Sequence, residues 1–374
     1  MNARLIVLLL CLAHSLCASY VTLDYGEDPL LTAAGGGPTL FLSPPYFTDR
    51  KLEVRIRGTA RFFSERVMSF DSPVSFYNRY SVFAPEYAGI SWNPRPVLGF
   101  DLSLEPWKTF DYSAEYRFPP GAAVFDGVKS MRSSGSVDSL RLSALVHVLK
   151  FFTFGATAGF LSGKRRTTGS VDYGSATNLD WKSSVKTGFY GWKFDLHAGA
   201  EFRRTVRIAL QFSFPVALVN RLEDGSEATF EYPLTAGIRA AVLAFKPVPA
   251  EFFIEGLYGN FRDFEVVRSG SRTGPFGRHD TVSFLAGMST VIKTANVQVP
   301  FRLGYVWRPD FLDYFADRHT LFAGFDMALG RGFGVSLNAE FTKRNWIGDN
   351  IFYEDDKLID ENSLFIRAGL TWGL

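Results

Sequence analysis

Cysteine is nearly absent from this chain: the only two, Cys11 and Cys17, lie in the N-terminal apolar region. Once that region is removed, no thiol remains for a disulfide or for thiolate chemistry. Long apolar runs are missing too. Beyond the N-terminus no segment approaches the roughly 18 consecutive apolar residues that suggest a membrane helix. Nor does one sign of charge dominate. Lysine and arginine total 40 against 38 aspartate and glutamate, and a net charge of +2 gives no electrostatic footprint for nucleic acid.

Catalytic signatures are lacking as well. There is no H-E-x-x-H, no G-x-S-x-G and no paired-carboxylate motif. Four histidines follow the N-terminal region: His147, His197, His279 and His319. None has partners at a spacing that would build a metal or acid–base site. Ser143 and His147 share a strand face but stand about 13 Å apart, too far for a nucleophile–base hydrogen bond. Gly330 to Gly334 has the composition of a tight hairpin turn, and no helix follows to make it a phosphate cradle. The expectation is therefore no catalytic residue, no metal and no cofactor.

What is present begins with Arg4, the apolar run Leu5 to Ala13 and small residues to Ser19. This is the pattern of a secretory signal peptide over residues 1–19, with the mature chain starting between Ala18 and Tyr20. His14, Ser15 and Leu16 make a poor lipidation signal before Cys17.

After residue 50 the chain alternates almost everywhere. Leu98, Phe100, Leu102 and Leu104 alternate with Gly99, Asp101, Ser103 and Glu105. Tyr190, Trp192, Phe194, Leu196 and Ala198 alternate with Gly191, Lys193, Asp195 and His197. Leu364, Ile366, Ala368, Leu370 and Trp372 alternate with Phe365, Arg367, Gly369, Thr371 and Gly373. A period of two means strands with one oily face, and no helical segment is available to cover that face. Aromatics make up 16% of the chain, with 37 phenylalanines, as suits a barrel with aromatic girdles.

Fourteen such segments are counted, each about 11–13 residues long, starting with 51–61 and 96–105 and ending with 362–374. The count takes Pro106-Trp107-Lys108 as a short turn and 62–95 as an excursion. Short and long connections alternate, as they do in outer-membrane barrels. The expectation is an all-β fold: a transmembrane antiparallel β-barrel of about 14 strands over residues 51–374. Its C-terminus would be periplasmic. Residues 20–50 are Gly/Pro-rich yet apolar. They form either a short hatch inside the barrel or a periplasmic extension.

Inward arginines are frequent: Arg55, Arg57, Arg117, Arg141, Arg207, Arg239, Arg302 and Arg367. Inward acids accompany them, so a lumen ladder of opposite charges is one role. The other is bidentate capture of a carboxylate ligand, with Arg55, Arg57, Arg141, Arg239 and Arg302 as its candidates. Phe41, Tyr46 and Phe47 are candidates for an oily binding surface. Pro94 and Pro96 could open a gap in the wall, or merely bend a loop into a strand.

The stretch Glu251 to Phe264, the strand Arg302 to Pro309, the segment Asp317-Arg318-His319 with Leu321 to Phe325, and Gly99 to Arg117 resemble, in order, strands of the FadL/TodX family. That family comprises outer-membrane transporters of long-chain fatty acids and hydrocarbons. The resemblance implies a 14-stranded barrel with an N-terminal hatch. It also implies passive uptake of hydrophobic molecules through the hatch and a lateral gap in the wall. The family's hatch ends in Asn-Pro-Ala, where this chain has Ser43-Pro44-Pro45. The function expected is an outer-membrane channel for hydrophobic solutes such as long-chain fatty acids. The alternatives are a general aqueous porin and a surface adhesin or structural barrel. The expected partners are outer-membrane lipids, a hydrophobic small molecule and the barrel-assembly machinery, with the protein a monomer that binds no nucleic acid.

Overall fold

The structure is a computed structural model that describes residues 51–69, 75–95, 97–109, 112–117, 128–149, 152–172, 180–202, 205–244, 250–263, 265–268, 271–273, 280–293, 298–309, 317–330, 333–348 and 357–373. The signal peptide and hatch segments expected over 1–19 and 20–50 lie outside these residues.

The alternating segments do form strands. They are β1 (Leu52–Ser69), β2 (Ser75–Arg95), β3 (Leu98–Thr109), β4 (Tyr112–Arg117), β5 (Val128–Leu149), β6 (Phe152–Asp172) and β7 (Trp181–Phe202). Then come β8 (Val206–Ser213), β9 (Val216–Leu222), β10 (Glu227–Tyr232), β11 (Thr235–Ala244), β12 (Ala250–Gly259), β13 (Glu265–Arg268) and β14 (Ser271–Thr273). The last five are β15 (Thr281–Lys293), β16 (Gln298–Pro309), β17 (Asp317–Gly330), β18 (Phe333–Gly348) and β19 (Lys357–Gly373).

All belong to one antiparallel sheet, and β1 pairs with both β2 and β19, so the sheet closes. Several staves of the barrel consist of two strands in line: β3 with β4, β8 with β9, and β11 with β10. Counted as staves, the barrel has 14 strands. Closure joins the first strand to the last, so the sheet has no terminal edge strand.

The expected count agrees with the barrel, but its partition does not. Residues 62–95 are no excursion: they complete β1 and return as β2. Pro106-Trp107-Lys108 is no turn. It lies inside β3, where the pairing with β5 slips by one residue. One strand was divided in two and one was overlooked, so the errors cancel in the total. The direction of Leu98–Glu105 is consequently reversed. Several strands also far exceed 11–13 residues: β5 and β7 have 22, β2 and β6 have 21. At about 3.4 Å per residue and a 40° tilt, 21 residues rise roughly 50 Å, about twice the apolar band of a membrane barrel.

The two faces are inverted relative to a water-soluble protein. Leu142 is 58% exposed, Trp192 57% and Leu370 61%, whereas Glu105, Glu255 and Ser139 are each 1% exposed. Oily side chains point out and charged ones point in. Such an exterior is stable against hydrocarbon, not against water. Outward aromatics pair near the short turns, Trp92 with Phe100 and Phe333 with Trp372. Further along the barrel Phe160 meets Trp192 at 5.1 Å.

Three neighbouring staves break at matching positions. Phe214-Pro215 separates β8 from β9, Pro233-Leu234 separates β10 from β11, and a 3-10 turn, Phe261–Asp263, follows β12. Each proline lacks the N–H a ladder needs. Around the break Phe214 N donates to Phe194 O at 3.0 Å and Asn260 N to Leu234 O at 3.2 Å. Beyond it β9, β10, β13 and β14 continue as a four-stranded extension.

Candidate functional site

The inward face divides into two kinds of surface. One is charged and centres on β19, β1, β2, β3, β5 and β7. Arg55 donates to Asp101 at 2.6 Å, and Ser91 donates to the same carboxylate at 2.6 Å. Arg57 lies 3.6 Å from Glu86. Arg367 bridges Glu86 and Glu340, and Arg141 pairs with Glu105. Lys193 holds Asp195 at 3.2 Å. The ring of Tyr87 lies between two guanidinium groups, 5.5 Å from Arg55 and 5.4 Å from Arg57.

Glu86 reaches this network because of a β-bulge. Arg57 pairs with Tyr87 and Gly58 with Pro85, so Glu86 has no opposite residue. An extra residue turns a strand's alternation by one place. Glu86 and Tyr87 thus both serve the lumen, although they are adjacent in sequence.

The other surface is apolar. Ala241, Phe253, Leu257, Leu285, Val306 and Phe322 form one buried cluster, with Ala209 packed against it. They occupy β11, β12, β15, β16 and β17, and they share the inward face with Arg239, Glu255, Ser283, Arg308 and Thr320. Two glycines make the surface smooth. Phe253 pairs with Gly287, and Phe322 with Gly304. A Cβ at either glycine would collide with the facing phenylalanine ring. The rings therefore lie along the wall instead of projecting into the lumen. Arg239 caps the patch: its guanidinium sits 4.5 Å from the Phe253 ring, 3.1 Å from Glu255 and 3.3 Å from Glu251.

A second apolar layer lies toward the long connections. Val137, Leu161, Phe189 and Leu218 are buried at neighbouring inward register positions on β5, β6, β7 and β9. Trp107 of β3, placed by the slip at Pro106, meets Tyr232 of β10 with ring centroids 5.2 Å apart at 82°. In the sheet β5, β6, β7 and β9 separate these strands, so this contact crosses the lumen.

The ladder in the wall lapses beside Trp107. β2 pairs with β3 only from Ala88 to Arg95, opposite Leu98 to Leu104. Among the described residues no ladder joins Ser75–Tyr87 of β2 to Glu105–Arg117 of β3 and β4. Those two stretches pair only with β1 and with β5. The hydrogen-bonded ladder between these staves thus lapses beyond Tyr87 and Glu105, although β2 and β4 come close again toward the long connections. Trp107 and the charged Glu86–Tyr87 bulge stand at the lower end of the lapse.

The residues singled out from sequence distribute as follows. Arg55, Arg57 and Arg141 line the charged side, each held by a carboxylate. Arg239 stands at the apolar patch, and Arg302 is on β16 opposite Ser289 and Gly324. These arginines do not converge on one place. Pro94 sits in a two-residue bulge near the short-turn end of β2, where Asn93 N donates to Lys51 O at 2.9 Å. Phe41, Tyr46, Phe47 and Pro96 lie outside the described residues. Sequence reasoning missed the lapse, the cross-lumen pair and both inward apolar layers. Their only local signals are Pro85 within a strand and apolar residues at both parities, as in Phe252-Phe253-Ile254 and Gly256-Leu257-Tyr258.

The fold is that of a closed 14-stranded antiparallel barrel with a polar-and-apolar interior. No family model matches the chain, and no curated protein matches it. Solved structures do. A Pseudomonas aeruginosa FadL homologue is similar over 96% of this chain and 98% of its own, with a TM-score of 0.57 at 12% identity. The Pseudomonas putida toluene transporter TodX is similar over 94% and 99%, with a TM-score of 0.57 at 11% identity. The Ralstonia pickettii toluene transporter TbuX covers 93% and 98%, with a TM-score of 0.58 at 12% identity.

Proposed function

We propose that this protein is an outer-membrane channel for passive entry of hydrophobic solutes, long-chain fatty acids among them. The single observation that carries this reading is the apolar inner lining, across the lumen from a wall whose ladder lapses between β2 and β3. An aqueous porin has no use for buried phenylalanines and leucines on its inner face, whereas an oily solute does. Three solved structures of the same fold support the reading, since two are described as toluene transporters and one as a FadL homologue. The short turns and the C-terminal strand end would then be periplasmic and the long connections external.

A solute would enter laterally or from outside at the lapse between β2 and β3. It would pass Trp107 and Tyr232, then follow the lining formed by Leu257, Phe253, Leu285 and Phe322. The ion pairs on the opposite wall keep that side rigid and occupied. Purified protein in planar bilayers should carry little steady ion current, and it should bind a fluorescent fatty acid that oleate or toluene displaces. A large, steady, ohmic conductance without such binding would establish the porin instead.

A further inference from the structure

The outer surfaces of β5, β6 and β7 change character beyond Phe160. Up to that point the outward residues are apolar: Leu140 and Leu142 on β5, Phe154 and Phe160 on β6, Trp192 and Phe194 on β7. Beyond it basic residues appear among serine, threonine and aspartate. Lys164 and Arg166 follow on β6, Lys182 and Lys186 on β7, and Arg132 on β5, all exposed. Arg166 stands directly opposite Lys186, and Lys164 lies one outward position nearer the apolar band. Arg132 is opposite Thr168 on the other side of β6.

Cations placed opposite one another on a sheet repel and destabilise it. The only carboxylate in ion-pair contact with this group among the described residues is Glu223, 3.0 Å from Lys186, and both side chains are more than half exposed. Arg166 Nε donates to a neutral group, Ser184 Oγ, at 3.3 Å. Lys164, Arg166 and Lys186 therefore stand together with Glu223 as their one ion-paired carboxylate, while Asp138 shares the outward face beside Lys164, and Asp172 and Asp180 flank Lys182. Four to six residues past Phe160 along a tilted strand places Lys164 and Arg166 about 10–16 Å beyond that ring. Aromatic rings such as Phe160, Tyr190 and Trp192 mark the level where hydrocarbon gives way to headgroups. Lys164, Arg166 and Lys186 thus stand at headgroup height on the side of the long connections, and Arg132 and Lys182 lie farther out.

We propose that Lys164, Arg166 and Lys186 form a docking surface for the phosphate groups of an outer-leaflet lipid, whose acyl chains lie against Phe160, Trp192 and Phe194. This rests on the outer-membrane reading of the barrel, but not on any solute passing through it. The amine and guanidinium groups supply the charge-assisted hydrogen bonds that phosphate takes best. The lipid's anionic groups relieve the repulsion between Arg166 and Lys186.

The test uses the full-length protein in neutral detergent and native mass spectrometry. The probes are a bis-phosphorylated lipid A, the same lipid with its phosphates removed, and inorganic phosphate. Wild type should retain the phosphorylated lipid, lose it as salt rises, and bind the dephosphorylated form far less. The variant K164S/R166S/K186S should bind the phosphorylated lipid roughly 30–100-fold more weakly, given about a tenfold-or-less contribution per basic residue near a surface. K343S, an exposed lysine on β18 away from the cluster, should bind as wild type does. Heat-modifiable mobility on gels checks that each variant is folded; R166S alone serves if the triple variant is not. Equal retention of both lipid forms, or an unaffected folded variant, would overturn the proposal. Displacement of the lipid by equimolar inorganic phosphate would also overturn it, since that would make the site one for the free ion. Solute uptake by the folded triple variant should match wild type, so failure of the transport reading registers separately.

Discussion

At the scale of the residue, the lumen is built from charges that hold one another. Arg141 and Glu105 illustrate the cost. Glu105 has 1% of its side chain exposed, and Arg141 is its direct partner. Arg141→Leu leaves a buried carboxylate unpaired and should destabilise the barrel by about 3–5 kcal/mol in urea unfolding followed by tryptophan fluorescence. The double variant Arg141→Leu with Glu105→Leu should recover most of that loss; an additive loss would show that the pair does not act as a unit. Gly304 tests the apolar side. Gly304→Val pushes on the Phe322 ring and should cost about 1–3 kcal/mol. It should also reduce hydrophobic-solute uptake, measured in cells. The arginines were legible in the sequence because alternation assigns them inward. Glu86 was not legible as an inward group, because it owes its direction to a bulge that only strand pairing reveals. The buried phenylalanines were hidden for a related reason: Phe252 and Phe253 are equally oily, and only the register says which of them faces the lumen.

At the scale of the element, β3 and the four-stranded extension matter most. Pro106-Trp107-Lys108 has the composition of a turn, and between two alternating runs it was taken for one. The long ladder of β5 with both β3 and β4 overrides that local signal, and the proline is absorbed at a register slip. The same slip directs Trp107 toward Tyr232. Trp107→Ala removes a cross-lumen contact without touching a ladder bond. It should raise both ion conductance and solute uptake several-fold over wild type in bilayer recordings and uptake assays. Unchanged values would mean that this contact does not limit passage. The alignment of Pro233 with Pro215 across staves was not legible in sequence, since alignment is a property of register.

At the scale of the whole molecule, the claim is that the exterior faces lipid. Leu142 lies within the apolar outer band of β5 and is 58% exposed. Leu142→Arg should destabilise the barrel by about 2–4 kcal/mol when it unfolds from lipid vesicles. In a water-soluble protein the same change at so exposed a site would fall within about 0.5 kcal/mol of neutral. Fold class and an even strand number were legible here because a period of two recurs along the chain, while the total of 14 agreed because one divided strand offset one overlooked strand. The lapse in the wall's ladder was not legible, because it is an absence of pairing between strands that each look complete.

The proposal to test first is that oily solutes pass through this barrel where the wall's ladder lapses beside Trp107. The most direct test is the initial uptake of radiolabelled oleate and toluene by cells that carry this protein in place of their own hydrophobic-solute channels. Wild type should raise uptake of at least one of them several-fold over cells with empty vector, and Gly304→Val should bring that uptake back toward the vector level. Uptake equal to the vector control for both solutes, with the barrel folded in the outer membrane, would rule out such passage.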